Sequence, residues 1–244
     1  PAARDALRAE LAAARRLFPR SVFDAERLIV EQVIDGAEFA VDAYLDDRGE
    51  PVVLNLLEHV FAGEDDVSDR VYRTSPAIVE RWREPFAAYL RRFGALEGMR
   101  GFSLHAELRV DAAGRITPIE VNPLRFGGFC TTAELTERAW GFDPYLAYLR
   151  DQRPDWPRIL AERAGRAFHL VVLDNSTGLA PAEIAAFDYD RLLAGFSRPL
   201  GLVRLDHRQY PLFGFVVVET EAGDSSELDA ILRSDLREFV IPAA

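Results

Sequence analysis

The sequence has 244 residues, 49% of them hydrophobic and 28% charged, with a formal net charge of −11. That length accommodates one large domain or two modest ones with a real core, and the acidity excludes a broad nucleic-acid or anionic-membrane surface. No apolar run approaches the roughly 18–20 residues of a membrane span, no signal peptide is visible, and the single Cys130 cannot form an internal disulfide. The cytoplasm is the expected location, and a small anionic ligand held by a few arginines and a metal remains open.

The chain begins "PAARDALRAELAAARRLF" without a Met and enters a helical pattern over 2–17, as a piece with a missing upstream part would. All 29 basic residues are Arg, so lysine, a common phosphate ligand, is absent. "RLIVEQVI" (27–34) reads as a strand, "DG" (35–36) as a turn, and "AEFAVDAYLDD" (37–47) as a half-buried strand. "VVLNLLEHVF" (52–61) continues an antiparallel meander, and "AGEDDVSD" (62–69) is an acidic loop. Ser75-Pro76 caps and opens a helix to about 93, with Trp82, Phe86, Tyr89 and Phe93 as its core stripe.

Residues 101–123 read as a hairpin, "TTAELTERAW" (131–140) as a helix capped by Thr131 or Thr132, and 143–151 as another helix. The Pro-rich "QRPDWPR" (152–158) opens an expected linker over 152–164, separating a first domain, 1–151, from a small α+β domain, 165–244. In the latter, 167–174, 199–206 and 212–220 read as strands, and 181–188, 189–196 and 225–236 as helices. "YPLFGFVVVET" is apolar enough either to pack on the first domain or to form a homodimer interface, and both stay open. His59, His169 and His207 read as structural or exposed, and Cys130 as pocket wall or core.

The hairpin carries the chemistry. Strand alternation puts Ser103, His105, Glu107, Arg109 and Asp111 on one face, and Ile116, Pro118, Glu120 and Asn122 together on one face of the return strand. If Asp111 pairs with Ile116, Glu107 lies across from Glu120 and His105 across from Asn122. Like charges directly opposite are destabilising, and a bound cation reverses that sign. Mg²⁺ takes hard oxygen ligands, often one or two carboxylates plus nucleotide phosphates. A solvated face with Arg109 neutralising the acids is the alternative. Asn122, Arg125 and Gly127-Gly128 weigh against it, as an oxygen donor, a cation and a place for close backbone approach.

"IVEQVIDGAEFAVDAYLDDRGEPVVL" followed later by "HAELRVDAAGRITPIEVNPLRFGG" resembles the ATP-grasp superfamily of ATP-dependent carboxylate–amine ligases, over roughly residues 20–150. The resemblance implies an ATP-grasp-type antiparallel sheet with packed helices. It implies that Glu31, Gln32, Val33 and Ile34 grip adenine, that Glu38 binds the ribose hydroxyls, and that Ile119 packs under the adenine ring. It further implies that Glu107, Glu120 and Asn122 hold Mg²⁺ (or Mn²⁺), and that His105, Arg125 and Arg73 contact phosphate or substrate. The "NPLR" register is one residue off the commoner pattern. The family's first ATP subdomain, with its lysines and Gly-rich loop, is not in this sequence, so the parent protein is expected to be longer. The implied activity is ATP-dependent ligation of a small-molecule carboxylate to an amine or thiol through an acylphosphate. A non-catalytic nucleotide-binding or scaffold protein and a small-molecule kinase are the alternatives.

Overall fold

The computed structural model describes residues 4, 5, 7, 8, 11, 12, 31–63, 66, 68–96, 98–128 and 131–243. Residues 1–34 form one compact unit and residues 35–244 another. In the first, the described residues between 4 and 12 are helical, as expected over 2–17; the remainder of that helix and residues 27–30 of the expected strand lie outside the described residues. Glu31 to Ile34 carry no regular secondary structure, a departure from the expected strand.

The second unit is built on an eight-stranded sheet of order β5-β4-β1-β2-β3-β6-β9-β8, with every neighbouring pair antiparallel. The strands are β1 (Ala37–Leu45), β2 (Pro51–Val60), β3 (Val71–Thr74), β4 (Phe102–Val110), β5 (Ile116–Pro123), β6 (Arg166–Asp174), β8 (Pro199–Arg204) and β9 (Leu212–Glu221). A second, two-stranded sheet pairs β7 (Ile184–Phe187) with β10 (Val240–Pro242). Ladder pairing starts at Ala37, opposite Val110. Gly36 just before it has φ +117° and a built Cβ would lie 2.2 Å from the Val110 carbonyl oxygen, so the Asp-Gly turn requires glycine.

Helices cover both faces, which is why β1 is buried on both sides from Phe39 to Leu45 and not half-exposed as its alternation suggested. On one face lies α1 (Pro76–Gly94), capped by the Ser75 side chain, which accepts from the Ile78 N–H. Phe39 of β1 meets Trp82 and Phe86 of α1 at ring distances of 5.4 and 5.3 Å. On the other face lie α2 (Thr131–Trp140) and α3 (Pro144–Leu149), and α4 (Trp156–Glu162) adjoins both layers, its Trp156 ring 5.6 Å from that of Trp140 and its Leu160 lining a cavity with Pro76 and Glu80 of α1. The Trp140 indole N–H donates to Asn55 Oδ1 (3.2 Å) and that of Trp156 to the Val53 carbonyl (3.2 Å), so both ring systems have their one polar atom paired inside the core.

The boundary expected at 152–164 is corrected. Trp156, Ile159 and Leu160 of α4 are buried in the same core as β1, β2 and β4. β6 pairs with β3 from Val71↔Val171 to Thr74↔Phe168, so the C-terminal strands extend the one large sheet. They also build a core of their own, in which Val171, Leu173, Phe213, Val216 and Val218 pack with Leu192 of α5 (Tyr189–Leu193) and Leu228, Ile231 and Leu232 of α6 (Ser226–Arg233). β9 is buried along its length between β6 and β8, so its apolar character is used within the chain. Residues 184–187 form a strand where a helix was expected, and Thr131 and Thr132 lie inside α2 rather than capping it.

Candidate functional site

The antiparallel ladders align polar side chains in rows across β2, β1, β4 and β5. Asn55 pairs with Asp42, Asp42 with His105, and His105 with Asn122. In the adjacent row Leu57 pairs with Ala40, Ala40 with Glu107, and Glu107 with Glu120. A third row brings together His59, Glu38 and Arg109. Directly paired residues share a face, so Glu38, His105, Glu107, Glu120 and Asn122 are all on the face that α2 covers in part.

The hairpin reaches this arrangement by a different register from the expected one. At the turn Val110, not Asp111, pairs with Ile116, and Leu108 pairs with Pro118. The register then shifts between Glu107 and Leu108, leaving Ile119 without an opposite number. Ile119 is thus the extra residue of a β-bulge, 41% exposed. The bulge inverts strand parity. Ile116 and Pro118 belong to the face of Leu108 and Val110, whereas Glu120 and Asn122 belong to the face of Glu107. The expectation that all four share a face is corrected, while Glu107 still faces Glu120.

Bonding separates these acids into two kinds. Glu38 is saturated: Arg109 donates to its Oε2 from Nε (3.0 Å) and Nη2 (2.9 Å), and His59 Nδ1 lies 3.2 Å from Oε1. The His59 hydrogen bond, followed by Arg109 and both positive charges, holds the Glu38 carboxyl below the usual range against the cost of burial. Glu107 and Glu120 are held loosely. His105 Nε2 is 3.4 Å from Glu107 Oε1, and Arg125 Nη2 is 3.9 Å from Glu120 Oε1. The Asn122 side-chain amide donates to Glu120 through a short contact. Among the described residues neither acid accepts from two nitrogens of one arginine.

His105 is 3% exposed and is positioned by Asp42, itself 2% exposed. Asp42 Oδ1 accepts from His105 Nδ1 (2.8 Å) and from the Gly127 N–H (2.9 Å), while its Oδ2 is buried without a partner among the described residues. Burial opposes charge on the imidazole, but the hydrogen bonds to Asp42 and Glu107 and their negative charges outweigh it, and the pKa is raised to about 9. A cation therefore stands beside Glu107 at neutral pH. A Cβ on Gly127 would lie 2.5 Å from His105 Cε1, so the loop can approach the ring only as glycine. Asp42 is the functional side chain that the sequence did not disclose; its signal was an acid three residues before the end of β1, in an otherwise apolar strand interior.

Arg125 reaches the site although its sequence register is shifted. Leu124 takes φ +66°, rare for a residue with a branched side chain, and its N–H donates to the Ser103 carbonyl (2.7 Å). This tight turn absorbs the extra residue of "NPLR". Arg73 does not reach the site. It pairs with Glu58 at 3.0 and 2.8 Å, and the register Arg73↔Glu58, Glu58↔Phe39, Phe39↔Leu108 puts it on the α1 face. The expected role of Arg73 at a phosphate is corrected on that ground. Glu31, Gln32 and Val33 are exposed and Ile34 is half-buried, all in the other compact unit. Cys130 lies outside the described residues.

A cleft of about 250 Å³ opens over the rows, lined by Ala40, Tyr72, His105, Glu107, Arg125 and Thr131 among others. Among the described residues no three His, Cys, Asp or Glu side chains converge on one point. The ladder sets two carboxylates, Glu107 and Glu120, opposite each other with the Asn122 amide beside Glu120, donors of the kind that suit a hard cation completing its shell with water or phosphate oxygen.

Three comparisons bear on this geometry. A family model described as an ATP-grasp domain matches residues 1–133. Comparison with curated proteins by sequence gives no match. Among solved structures, the L-amino acid ligase from Bacillus licheniformis is similar with a TM-score of 0.59 at 18% identity, over 87% of this chain and 55% of that one. Phosphoribosylglycinamide synthetase from Anaerococcus prevotii matches with a TM-score of 0.53 at 14% identity, over 87% of this chain and 54% of that one. The ATPase subunit of phosphoribosylaminoimidazole carboxylase from Aquifex aeolicus gives 0.53 at 14%, over 84% and 57%. These likenesses establish a shared fold, and the chain spans about half the length of each of these three.

Proposed function

The chain belongs to the ATP-grasp family, and on that premise we propose that it carries the metal- and nucleotide-binding part of an ATP-dependent ligase joining a small carboxylate to an amine or thiol. The observation that carries the reading is the loosely held pair Glu107 and Glu120, directly opposed on a sheet where the neighbouring acids Glu38 and Glu58 each accept from two nitrogens of one arginine. Such an arrangement costs stability unless a cation joins it.

In this reading Glu107, Glu120 and the Asn122 amide oxygen hold Mg²⁺, which supplies neutralisation of the phosphate charge as metals do in phosphoryl transfer. Arg125 and protonated His105 orient the acceptor carboxylate and the transferring phosphoryl group and stabilise developing charge. A carboxylate oxygen attacks the γ-phosphorus, the bond to the β-phosphate bridging oxygen breaks, and ADP leaves. The amine or thiol then attacks the acyl carbon, phosphate departs, and the nucleophile's proton is lost to solvent or phosphate. Ile119, exposed on its bulge, presents an apolar surface to the adenine ring. Glu38 meets the ribose by exchanging one of its present partners for hydroxyl groups. The similarity to an L-amino acid ligase supports amino acids as one class of substrate.

Glu120→Gln keeps the shape and one hydrogen-bonding oxygen but removes a charge from the metal set. In the full-length protein with Mg-ATP, a carboxylic acid and an amine, ADP release is expected to fall at least about 100-fold, the scale of losing one electrostatic transition-state contact. Unchanged ADP release in a folded variant would remove Glu120 from the metal site. Nucleotide binding without any acid-dependent ADP release in the wild type would leave a binding protein rather than a ligase.

A further inference from the structure

We propose that the acid activated at this site carries an apolar substituent, aliphatic or aromatic, seated in a second cavity adjoining the cleft that holds Glu107 and Arg125. This rests on the ligase reading and narrows its substrate. The second cavity, about 260 Å³, lies against β6, β8 and β9. It shares Thr131, Leu170 and Phe215 with the cleft that contains His105, Glu107 and Arg125, so the two are compartments of one space over the same face of the sheet.

The chemistry of the walls differs between the compartments. The second is walled by Leu170, Val203, Leu205, Tyr210, Phe215 and Val217. Among the described residues lining it, Glu134 alone is charged, and Arg138 already matches it, with Nε 2.7 Å from Glu134 Oε1 and Nη1 donating to the Leu200 carbonyl at 2.7 Å. An ionic substituent placed here would give up its hydration without gaining a partner. An apolar one gains by roughly threefold to fourfold in affinity per buried methylene. The reacting carboxylate has to lie near Arg125 and the acid pair to reach the γ-phosphate. Its substituent then projects across Leu170 and Phe215 into the apolar compartment.

The test uses the full-length protein with Mg-ATP and a graded panel of acids: glycine, alanine, leucine, phenylalanine and aspartate. Binding is read by calorimetry and turnover by ADP release, in the wild type and in Val203→Asp. Val203 is 39% exposed, so the new carboxylate does not threaten the fold, and it takes no part in the metal or phosphate site. Affinity is expected to rise from glycine to leucine and phenylalanine by at least 10-fold, aspartate to bind worst, and Val203→Asp to erase the order. ADP release that is acid-dependent but indifferent to apolar size, or an order that Val203→Asp leaves intact, would overturn the pocket assignment and leave the ligase reading standing. Binding of leucine that Val203→Asp weakens, with no acid promoting ADP release, would uphold the pocket and sink the ligase reading. No binding by any acid overturns both.

Discussion

His105 and His169 are almost equally buried, at 3% exposed each, yet their pKa values move in opposite directions. His105 has Asp42 and Glu107 against its ring and is raised to about 9; His169 has no acid partner among the described residues, faces the Arg73 charge, and is lowered to about 4, chiefly by burial. His169 Nε2 contacts Thr220 Oγ1 at 3.0 Å and Nδ1 is buried without a partner among the described residues. The unfolded chain takes up a proton on this residue near its ordinary value of 6.5, while the folded chain refuses it until about 4. Stability carried by neutral His169 is therefore complete above about pH 6.5 and is lost as pH falls towards 4, by up to about 3 kcal/mol. Urea unfolding of the wild type and His169→Asn between pH 7 and 4.5 is expected to show a shallower loss in the variant; parallel curves would contradict it. The resemblance placed His105 at a site, two residues before Glu107 and opposite Asn122, whereas His169 carried no motif and read as structural or exposed. Asp42 escaped notice because its partners come from β4 and the Gly127 loop, 63 and 85 residues away.

Among the elements, the β4–β5 hairpin shows how far periodicity reads. Alternation brought Glu107 opposite Glu120, but through a turn register one residue off, and the bulge at Ile119 restored the count. A bulge is invisible to a period of two, because it is defined by the partner strand. Its removal gives a direct prediction. Deleting Ile119 leaves Leu108 opposite Pro118 and Glu107 opposite Glu120 in an uninterrupted ladder, so the protein should fold with near-normal thermal stability. Its affinity for Mg-ADP is expected to drop about 10-fold through loss of the apolar surface, on the scale of burying one aliphatic side chain. Wild-type affinity in the deletion variant would strip Ile119 of its role. Residues 181–188 were misread for a related reason. Ile184 and Phe187 are the buried pair, and spacing of three fits a helix face as well as a short strand. The deciding partner, β10, starts at residue 240.

For the whole molecule, the question is whether residues 165–244 stand apart. The Pro-rich stretch at 152–158 looked like a linker because Pro154 and Pro157 break regular structure. Pro157 instead sits in the first turn of α4, where its missing N–H costs nothing. Arg70, 5% exposed, joins the halves: its guanidinium meets Asp174 at 2.8 Å, the Ser176 hydroxyl at 2.8 Å, and the carbonyls of Ile231 and Ser234. A chain ending at residue 151 would strip this cation of all these partners and open the edge of β3. It is expected to lose its cooperative unfolding transition, and a sharp transition in that fragment would restore the two-domain reading. The family and the antiparallel sheet were legible because two motifs kept their internal spacing; the extent of the sheet was not, since β3 is four residues long and its pairing with β6 spans about a hundred residues.

The central claim is that Glu107 and Glu120 face each other to receive a metal-bound nucleotide, and the thermal midpoint of the wild type and Glu120→Gln, each with and without Mg-ATP, tests it most directly. The account predicts that the variant melts at or above the wild type when neither is liganded, because a like-charge pair is relieved, and that Mg-ATP raises only the wild type by several degrees. An equal rise in both proteins would contradict it.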